Sequence, residues 1–260
     1  MALIRSLFDG IYGIYSLVLF VVLALLTLVL VTVVPGLGVN GRRAVAHFMA
    51  RFFFFVAGIR IRFVGGNELP QGACVVVANH ASYMDGVVLK GALPARFSFV
   101  IKKEVSSVPL AGLLLKRIGS EFVDRFNRHA GGMDARRLIK AANSGRALAF
   151  FPEGTFLLQP GLGKFHTGAF TIAARSGLPV VPLAIRGTRH ILPSGRILPR
   201  LGAIELEILP MVPAAANADA AAVAALRDQS RHRILAVLGE PDLAENDGVA
   251  ALEKRRTGDG

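Results

Sequence analysis

The sequence contains no tryptophan, three tyrosines and a single cysteine, and its 18 acidic residues are outnumbered by 30 lysines and arginines. One cysteine excludes a disulfide within the chain, and Cys74, at the edge of an apolar run, is left with core packing as its natural role. A net charge of +12 points to an anionic partner, whether nucleic acid, a lipid surface or an acidic protein. With no tryptophan, few tyrosines and no nucleic-acid-binding motif, a lipid surface accounts for that charge better than nucleic acid does. A Gly-x-Ser-x-Gly elbow is also missing, so the chain offers no serine nucleophile of that type. There is no internal repeat. What abounds is apolar side chain: 53% of the 260 residues are hydrophobic and 18% charged, too apolar for an ordinary soluble domain.

Much of that excess lies at the amino terminus. Ile14 to Val34 is a nearly unbroken apolar run, interrupted by Ser16, Thr27 and Thr32, and ~20 such residues suffice to cross a bilayer core. The run is too long for a cleavable signal peptide, and Pro35-Gly36-Leu37-Gly38 lacks the small-x-small cleavage pattern. Beyond that turn, Arg42, Arg43, Arg51, Arg60 and Arg62 outweigh Arg5 and Asp9, so the positive-inside tendency puts the rest of the chain in the cytoplasm. A second apolar run, Phe48 to Ala57, is too short to span comfortably. It is expected to lie in the interface or to return as a hairpin with the first. Residues 1–60 thus read as a membrane anchor, a helix over 14–34 plus an interfacial or re-entrant helix over 42–58. A single span and a re-entrant pair both fit.

Residues 61–212 read as one α/β domain. Strands are expected near 61–64, 73–78, 97–101, 121–124, 147–151, 179–185 and 204–209, with helices near 83–92, 108–117, 130–143 and 168–176 between them. Such alternation argues for a mixed, largely parallel sheet flanked by helices. Pro182 falls inside the sixth strand, which on that ground belongs at a sheet edge or carries a bulge. Residues 213–260 comprise an alanine-rich packing helix, Ala214 to Leu238, and a tail whose Lys254-Arg255-Arg256 cluster suits anionic lipid.

Four stretches carry chemistry. The β-branched run Val75-Val76-Val77 breaks into a polar turn at Asn79, and Ser82 is placed to cap the helix that follows. His80 and Asp85 therefore sit at a strand-to-helix junction, where α/β proteins commonly place reactive groups. A neutral imidazole takes a proton near pH 7 when an acceptor holds its second nitrogen, and a carboxylate five residues on is placed to be that acceptor. No further His, Cys or Asp lies nearby at ligand spacing, which disfavours a metal. Taken alone, such a pair is more often a cap and a surface residue. Gly119 to Arg125 ends a short strand in an acid–base pair, and Arg125 offers a rigid fork of donors suited to phosphate or simply a partner for Asp124. In Phe151-Pro152-Glu153-Gly154-Thr155, Pro152 sets a tight turn and Gly154 permits close backbone approach, leaving Glu153 at the carboxyl end of a strand. The fourth stretch is the apolar Val181-Pro182-Leu183.

In this order the four stretches resemble the conserved blocks of the glycerolipid acyltransferases, above all 1-acyl-glycerol-3-phosphate acyltransferases. His80 through Asp85 is similar to the family's His-x-x-x-x-Asp block. Gly119 to Arg125, Phe151 to Thr155 and Val181 to Leu183 resemble the second, third and fourth. The resemblance covers roughly residues 60 to 212, and the apolar pair before it resembles the membrane-dipping helices of bacterial members. It implies a glycerol-3-phosphate acyltransferase-like fold behind a membrane-embedded helix pair. It further implies His80 as the general base, Asp85 as its orienting residue and Arg125 as holder of the acceptor phosphate. Glu153 and Gly154 would position the glycerol backbone, with Phe151 and Thr155 shaping the turn. Lys102, Lys103 and Lys164 add positive charge near donor or acceptor phosphates. His166-Thr167 stands where many relatives have lysine or arginine, which leaves the acceptor headgroup open.

The expected reaction is acyl transfer from a thioester, acyl-CoA or acyl carrier protein, to the free hydroxyl of a lysophospholipid, with no metal or organic cofactor. The expected location is the inner membrane, with the catalytic domain on its cytoplasmic face. Three alternatives compete: another acceptor such as lyso-ornithine lipid, a lysophospholipid hydrolase, and a non-enzymatic membrane lipid-binding protein.

Overall fold

A computed structural model of the chain describes residues 2–124, 128–156, 158–214 and 217–244. Its strands are β1 (Arg60–Val64), β2 (Val75–Ala78), β3 (Ser98–Lys102), β4 (Glu121–Val123), β5 (Leu148–Phe150), β6 (Val180–Arg186) and β7 (Ala203–Ile208). Its helices are α1 (Ala2–Val33), α2 (Val39–Val56), α3 (Met84–Ala92), α4 (Ala111–Arg117), α5 (Arg128–Asn143), α6 (Gly168–Arg175), α7 (Thr188–Ile191) and α8 (Ala220–Leu238). The strands form one sheet in the order β1-β7-β6-β2-β5-β3-β4. β2 through β6 all run parallel, β7 runs against β6, and β1 runs with β7. The sheet is mixed and mostly parallel, as the alternation of strands and helices implies.

β2 sits at the centre because it can be buried on both faces. All four of its residues are inaccessible, and their side chains alternate between two cores. Val76 and Ala78 join Phe53, Phe54, Met84 and Leu89 from α2 and α3 on one side. Val75 and Val77 join Phe170, Ala173, Val223 and Ile234 from α6 and α8 on the other. Each such apolar side chain contributes ~1.5–3 kcal/mol on burial, which holds the strand between two helical layers. Cys74 is fully buried beside it, and burial pushes its thiol up to about 11, so it packs as a small apolar residue.

β6 is an interior strand, not an edge. Between its Val180–Val212 bridge and its Leu183–Ile208 pair, Val181 and Pro182 face three residues, 209–211, so the pairing slips by one as in a bulge. The proline lies where the ladder is already interrupted, and its carbonyl still accepts the Leu209 N–H at 2.9 Å. The missing donor of Pro182 is therefore tolerated in mid-sheet.

α1 and α2 pack on each other and on the domain. α1 is longer than expected and begins at Ala2; Ser6–Val33 is the one described helix long and apolar enough to cross a membrane. Yet both of its ends rest on the domain. A Cβ on Gly13 would lie 2.7 Å from Leu198 Cβ, Tyr12 Oη donates to Ala57 O, and Val31 shares a small core with Ala46 and Ile118. Its opposite face is open, with Ile11, Val18, Val22 and Val29 all more than half exposed. α2 crosses α3 closely where Ala50 meets Gly91. Phe53 and Phe54 of α2 are core residues, whereas Phe48 and Phe55 are 61% and 81% exposed.

Arg43 does not reach the surface as Arg51, Arg60 and Arg62 do. It is buried, and its guanidinium donates to Ile118 O at 3.1 Å, Ser98 Oγ at 2.7 Å and Gly119 O at 2.8 Å. It thus ties α2 to the turn that leads into β4. α8 starts at Ala220, where Asp219 Oδ1 accepts the Ala222 N–H, rather than at Ala214.

Candidate active site

Parallel strands bring their carboxyl ends to one edge of the sheet, and the residues expected to be functional follow those ends. His80 follows β2, Phe151 to Thr155 follow β5, Lys102 ends β3, and Asp124 follows β4. Because β2 and β5 are neighbours, with Val77 paired to Phe150, the first and third stretches emerge side by side. Arg125 lies outside the described residues. Its neighbour Asp124 accepts from Lys103 Nζ at 3.3 Å and sits at the end of a strand three places from β2, on the order of 14 Å away at sheet spacing.

The turn after β2 is wired by its own short-range contacts. Asp85 lies in the first turn of α3, where a carboxylate is favoured by the unpaired N–H groups of the helix start. Its Oδ2 accepts from the Ala81 N–H at 2.6 Å, the Ser82 N–H at 2.8 Å and the His80 ring at 2.9 Å. Oδ1 is buried with no donor among the described residues. Ser82 caps the helix as expected: its Oγ accepts from the Met84 N–H at 3.1 Å and donates to Leu192 O at 2.6 Å. That second bond ties the turn to the segment after β6. Asn79 continues the sheet with its side chain, its amide donating to Ile185 O at 2.9 Å and its carbonyl accepting the Ile185 N–H at 2.7 Å.

These contacts define the state of His80. Oδ2 of Asp85 is an acceptor from two backbone N–H groups, so the bond to Nδ1 carries the imidazole proton there, and the basic lone pair falls on Nε2. The ring stacks on Phe151 with centroids 4.2 Å apart and meets the edge of Phe156 at 4.7 Å; Phe156 in turn packs edge-on against the exposed Tyr83. The two phenylalanines fix the ring plane. The His80 side chain keeps 18% of its surface accessible while Asp85 keeps none, so the imidazole is reachable and its partner is sealed.

Glu153 does not project freely from the strand end. It is buried, its Oε1 accepts the His80 backbone N–H at 2.6 Å, and its Oε2 accepts the Gly163 N–H at 2.8 Å. It braces the backbone of the histidine against a loop ten residues further on. Burial pushes its carboxyl up to about 7, the two N–H bonds pull against that, and Asp85 and Arg189 add smaller opposing effects. Gly154 follows in a left-handed turn at φ 79°, its N–H donating to Phe151 O, and Thr155 is exposed on that turn. Lys102 and Lys164 are exposed, and the backbone N–H of His166 donates to Pro152 O.

Three contributors were given no role on sequence grounds: the Asn79 amide, the Phe156 ring and Gly163. Gly163 is required because a Cβ there would stand 2.9 Å from Glu153 Oε2. Its one sequence signal is the Gly161-Leu162-Gly163 spacing, which is mute about what approaches it.

Residues 60–186 match the acyltransferase family model. Over 163 residues the chain is 32% identical to the chloroplastic 1-acyl-sn-glycerol-3-phosphate acyltransferase of Brassica napus, covering 59% of this chain and 46% of that one. It is 37% identical over 133 residues to the lyso-ornithine lipid O-acyltransferase of Pseudomonas aeruginosa, covering 50% of this chain and 49% of that one. The chain thus spans about half the length of these relatives. The fold is shared with the crystal structure of the 1-acyl-sn-glycerophosphate (LPA) acyltransferase of Thermotoga maritima, with a TM-score of 0.69 at 23% identity, over 91% of this chain and 95% of that one. The similarity to the acyltransferase family runs through the segment that carries the His80–Asp85 dyad and the Glu153 brace.

Proposed function

We propose that the protein transfers a fatty acyl chain from a thioester, acyl-CoA or acyl carrier protein, to the free hydroxyl of 1-acyl-glycerol-3-phosphate, giving phosphatidate. The observation that carries this reading is the dyad: an accessible imidazole whose Nδ1 is held at 2.9 Å by a buried carboxylate. Nε2 of His80 takes the hydroxyl proton as the acceptor oxygen attacks the thioester carbonyl, and the same proton then passes to the departing thiolate. The bond formed is the ester C–O and the bond broken is the thioester C–S. Asp85 keeps the productive tautomer and stabilises the imidazolium formed midway, a division of labour seen in other His–carboxylate pairs. Arg125 holds the acceptor phosphate on the strength of its motif, and Lys102 and Lys164 lend charge to the same edge.

The N-terminal helices support a position of this edge at a lipid surface. The open face of α1 and the outward phenylalanines of α2 support contact with the hydrocarbon, while the packing of both α1 ends on the domain favours burial along one face over an upright span. A lysolipid keeps its chain in the leaflet, so a site at that depth meets the hydroxyl without extracting the molecule. On this reading the domain lies at the cytoplasmic face of the inner membrane.

The 37% identity to a lyso-ornithine lipid O-acyltransferase supports a second reading, the same chemistry on a phosphate-free acceptor. Purified protein offered lysophosphatidate and lyso-ornithine lipid, each with both thioesters, decides between them by the mass of the product. The expected product is phosphatidate, and His80→Ala should lower its formation by ~10²–10⁴-fold with folding and vesicle association unchanged. Undiminished turnover in that variant rejects His80 as the base. Release of free fatty acid alone rejects the transferase.

A further inference from the structure

Glu153 is a link, not an endpoint. It holds the His80 amide on one oxygen and the Gly163 amide on the other, so its position is only as firm as the 161–163 backbone. That backbone is held in turn by the far end of the described chain. The Leu162 N–H donates to Pro241 O at 2.9 Å and the Leu243 N–H donates to Leu162 O at 3.1 Å, pairing the two segments in a short parallel bridge. Arg231 of α8 donates to Gly163 O at 3.0 Å and to Leu162 O at 2.9 Å, and its guanidinium grips both oxygens of Asp242. Glu240 accepts the Gly161 N–H at 2.7 Å and, at 3.2 Å, two nitrogens of Arg189, which lies just past β6. The fit is close. Leu243 is buried where a Cβ on Gly161 would lie 2.3 Å from its Cγ.

Short-range contacts do not explain this arrangement, because the two carbonyls that Arg231 meets lie 68 and 69 residues away and the amide that Glu240 meets lies 79 away. Nor does packing alone require it, since an apolar contact at Leu243 would cover the loop without Arg231 and Glu240 aimed at its carbonyls and amide, and without Asp242 holding Arg231 in place. Directional bonds do what apolar contact cannot: they fix where the Gly163 N–H points.

We propose that residues 231–243 are a positioning element for the catalytic histidine, in which Arg231, Glu240 and Asp242 hold the 161–163 backbone against Glu153, and Glu153 sets the His80 amide. These residues lie outside the 60–186 segment that matches the family model, so this support is built by the chain's own carboxyl-terminal region. None of the three touches the reacting groups; they act through Glu153. The inference rests on His80 being the base of the proposed transfer.

The test uses the full chain in detergent micelles. Arg231→Ala and the size-preserving Asp242→Asn are compared with Arg231→Lys, which keeps a charge but cannot serve all its partners at once. Loosening of this kind should lower kcat about ten- to a hundredfold in Arg231→Ala, with the acceptor KM within about twofold and partial rescue in Arg231→Lys. If Arg231→Ala fails to fold, Asp242→Asn is read in the same way. A second readout needs no substrate: the rate at which diethylpyrocarbonate modifies His80, followed by mass spectrometry of its peptide, should rise several-fold. Unchanged kcat and unchanged His80 modification in a folded variant overturn the inference. A wild-type protein that transfers no acyl group defeats the transferase reading instead, and the modification rate alone then decides whether the brace exists.

Discussion

The two loops that meet at His80 are held by opposite strategies. The turn after β2 is wired from within: Asp85 accepts from residues three, four and five positions before it, and Ser82 caps its own helix. The loop after β5 is wired from without. Glu153 reaches His80 across 73 residues, and the loop's far side is gripped by residues of the carboxyl-terminal region. The first arrangement places the imidazole, its proton and the acceptor within a single turn, so it tolerates drift elsewhere. The second adjusts that turn against the rest of the domain, so it transmits any slackness to the imidazole. Local wiring makes the dyad; long-range wiring aims it.

Breaking the local loop should cost most. Asp85→Asn leaves a neutral amide oxygen where three donors now converge on a carboxylate, and the imidazolium loses the charge that stabilises it. Acyl transfer should fall on the order of 10²–10⁴-fold, measured as initial rate with saturating thioester. A drop under tenfold would mean that the imidazole keeps its state without the carboxylate. Breaking the long-range loop should cost less. Glu153→Gln turns an NH₂ toward one of two buried N–H donors, which should destabilise the fold by ~1–3 kcal/mol and slow transfer about tenfold. Thermal melting and the same rate assay check both numbers. Smaller again is Gly163→Ala, whose methyl would crowd Glu153 Oε2 at 2.9 Å and should slow the reaction a few-fold without touching Asp85.

The subtlest contrast is in pH. Burial raises the Glu153 carboxyl from its ordinary 4.5 to about 7, so the folded protein takes up a proton there more readily than the unfolded chain. Its contribution to stability is therefore full below about 4.5 and is lost as pH rises through about 7. Glu153→Gln should flatten that part of the stability curve, measured by denaturant midpoints between those two values. A slope identical to the wild type would show that the carboxylate is held without strain.

Much of this was legible beforehand. Seven strands fall within two residues of their expected places, because short apolar runs, most of them closed by glycine, asparagine or proline, leave little choice of structure. The His80–Asp85 pairing was legible for the same reason, since five residues of turn and helix start can bring the two together in few ways. Pro182 misled in part. It does mark a slip in pairing, but the slip lies in mid-sheet, where a partner strand absorbed it. Arg43 was legible as one charge in the positive-inside balance, but not as the buried tie to the carbonyls of Ile118 and Gly119.

By itself the sequence determined the order of strands and helices, the apolar central strand, and a histidine and an aspartate close enough along the chain to bond. Those are consequences of local propensity and short spacing, and they hold whatever lies opposite. Only the tertiary structure decided that β5 would lie beside β2, that Glu153 would turn inward to the His80 amide, and that the segment after α8 would close over Gly161 and Gly163. Each depends on which strands become neighbours and how closely two backbones approach, and such contacts leave no period or spacing in the chain to be read.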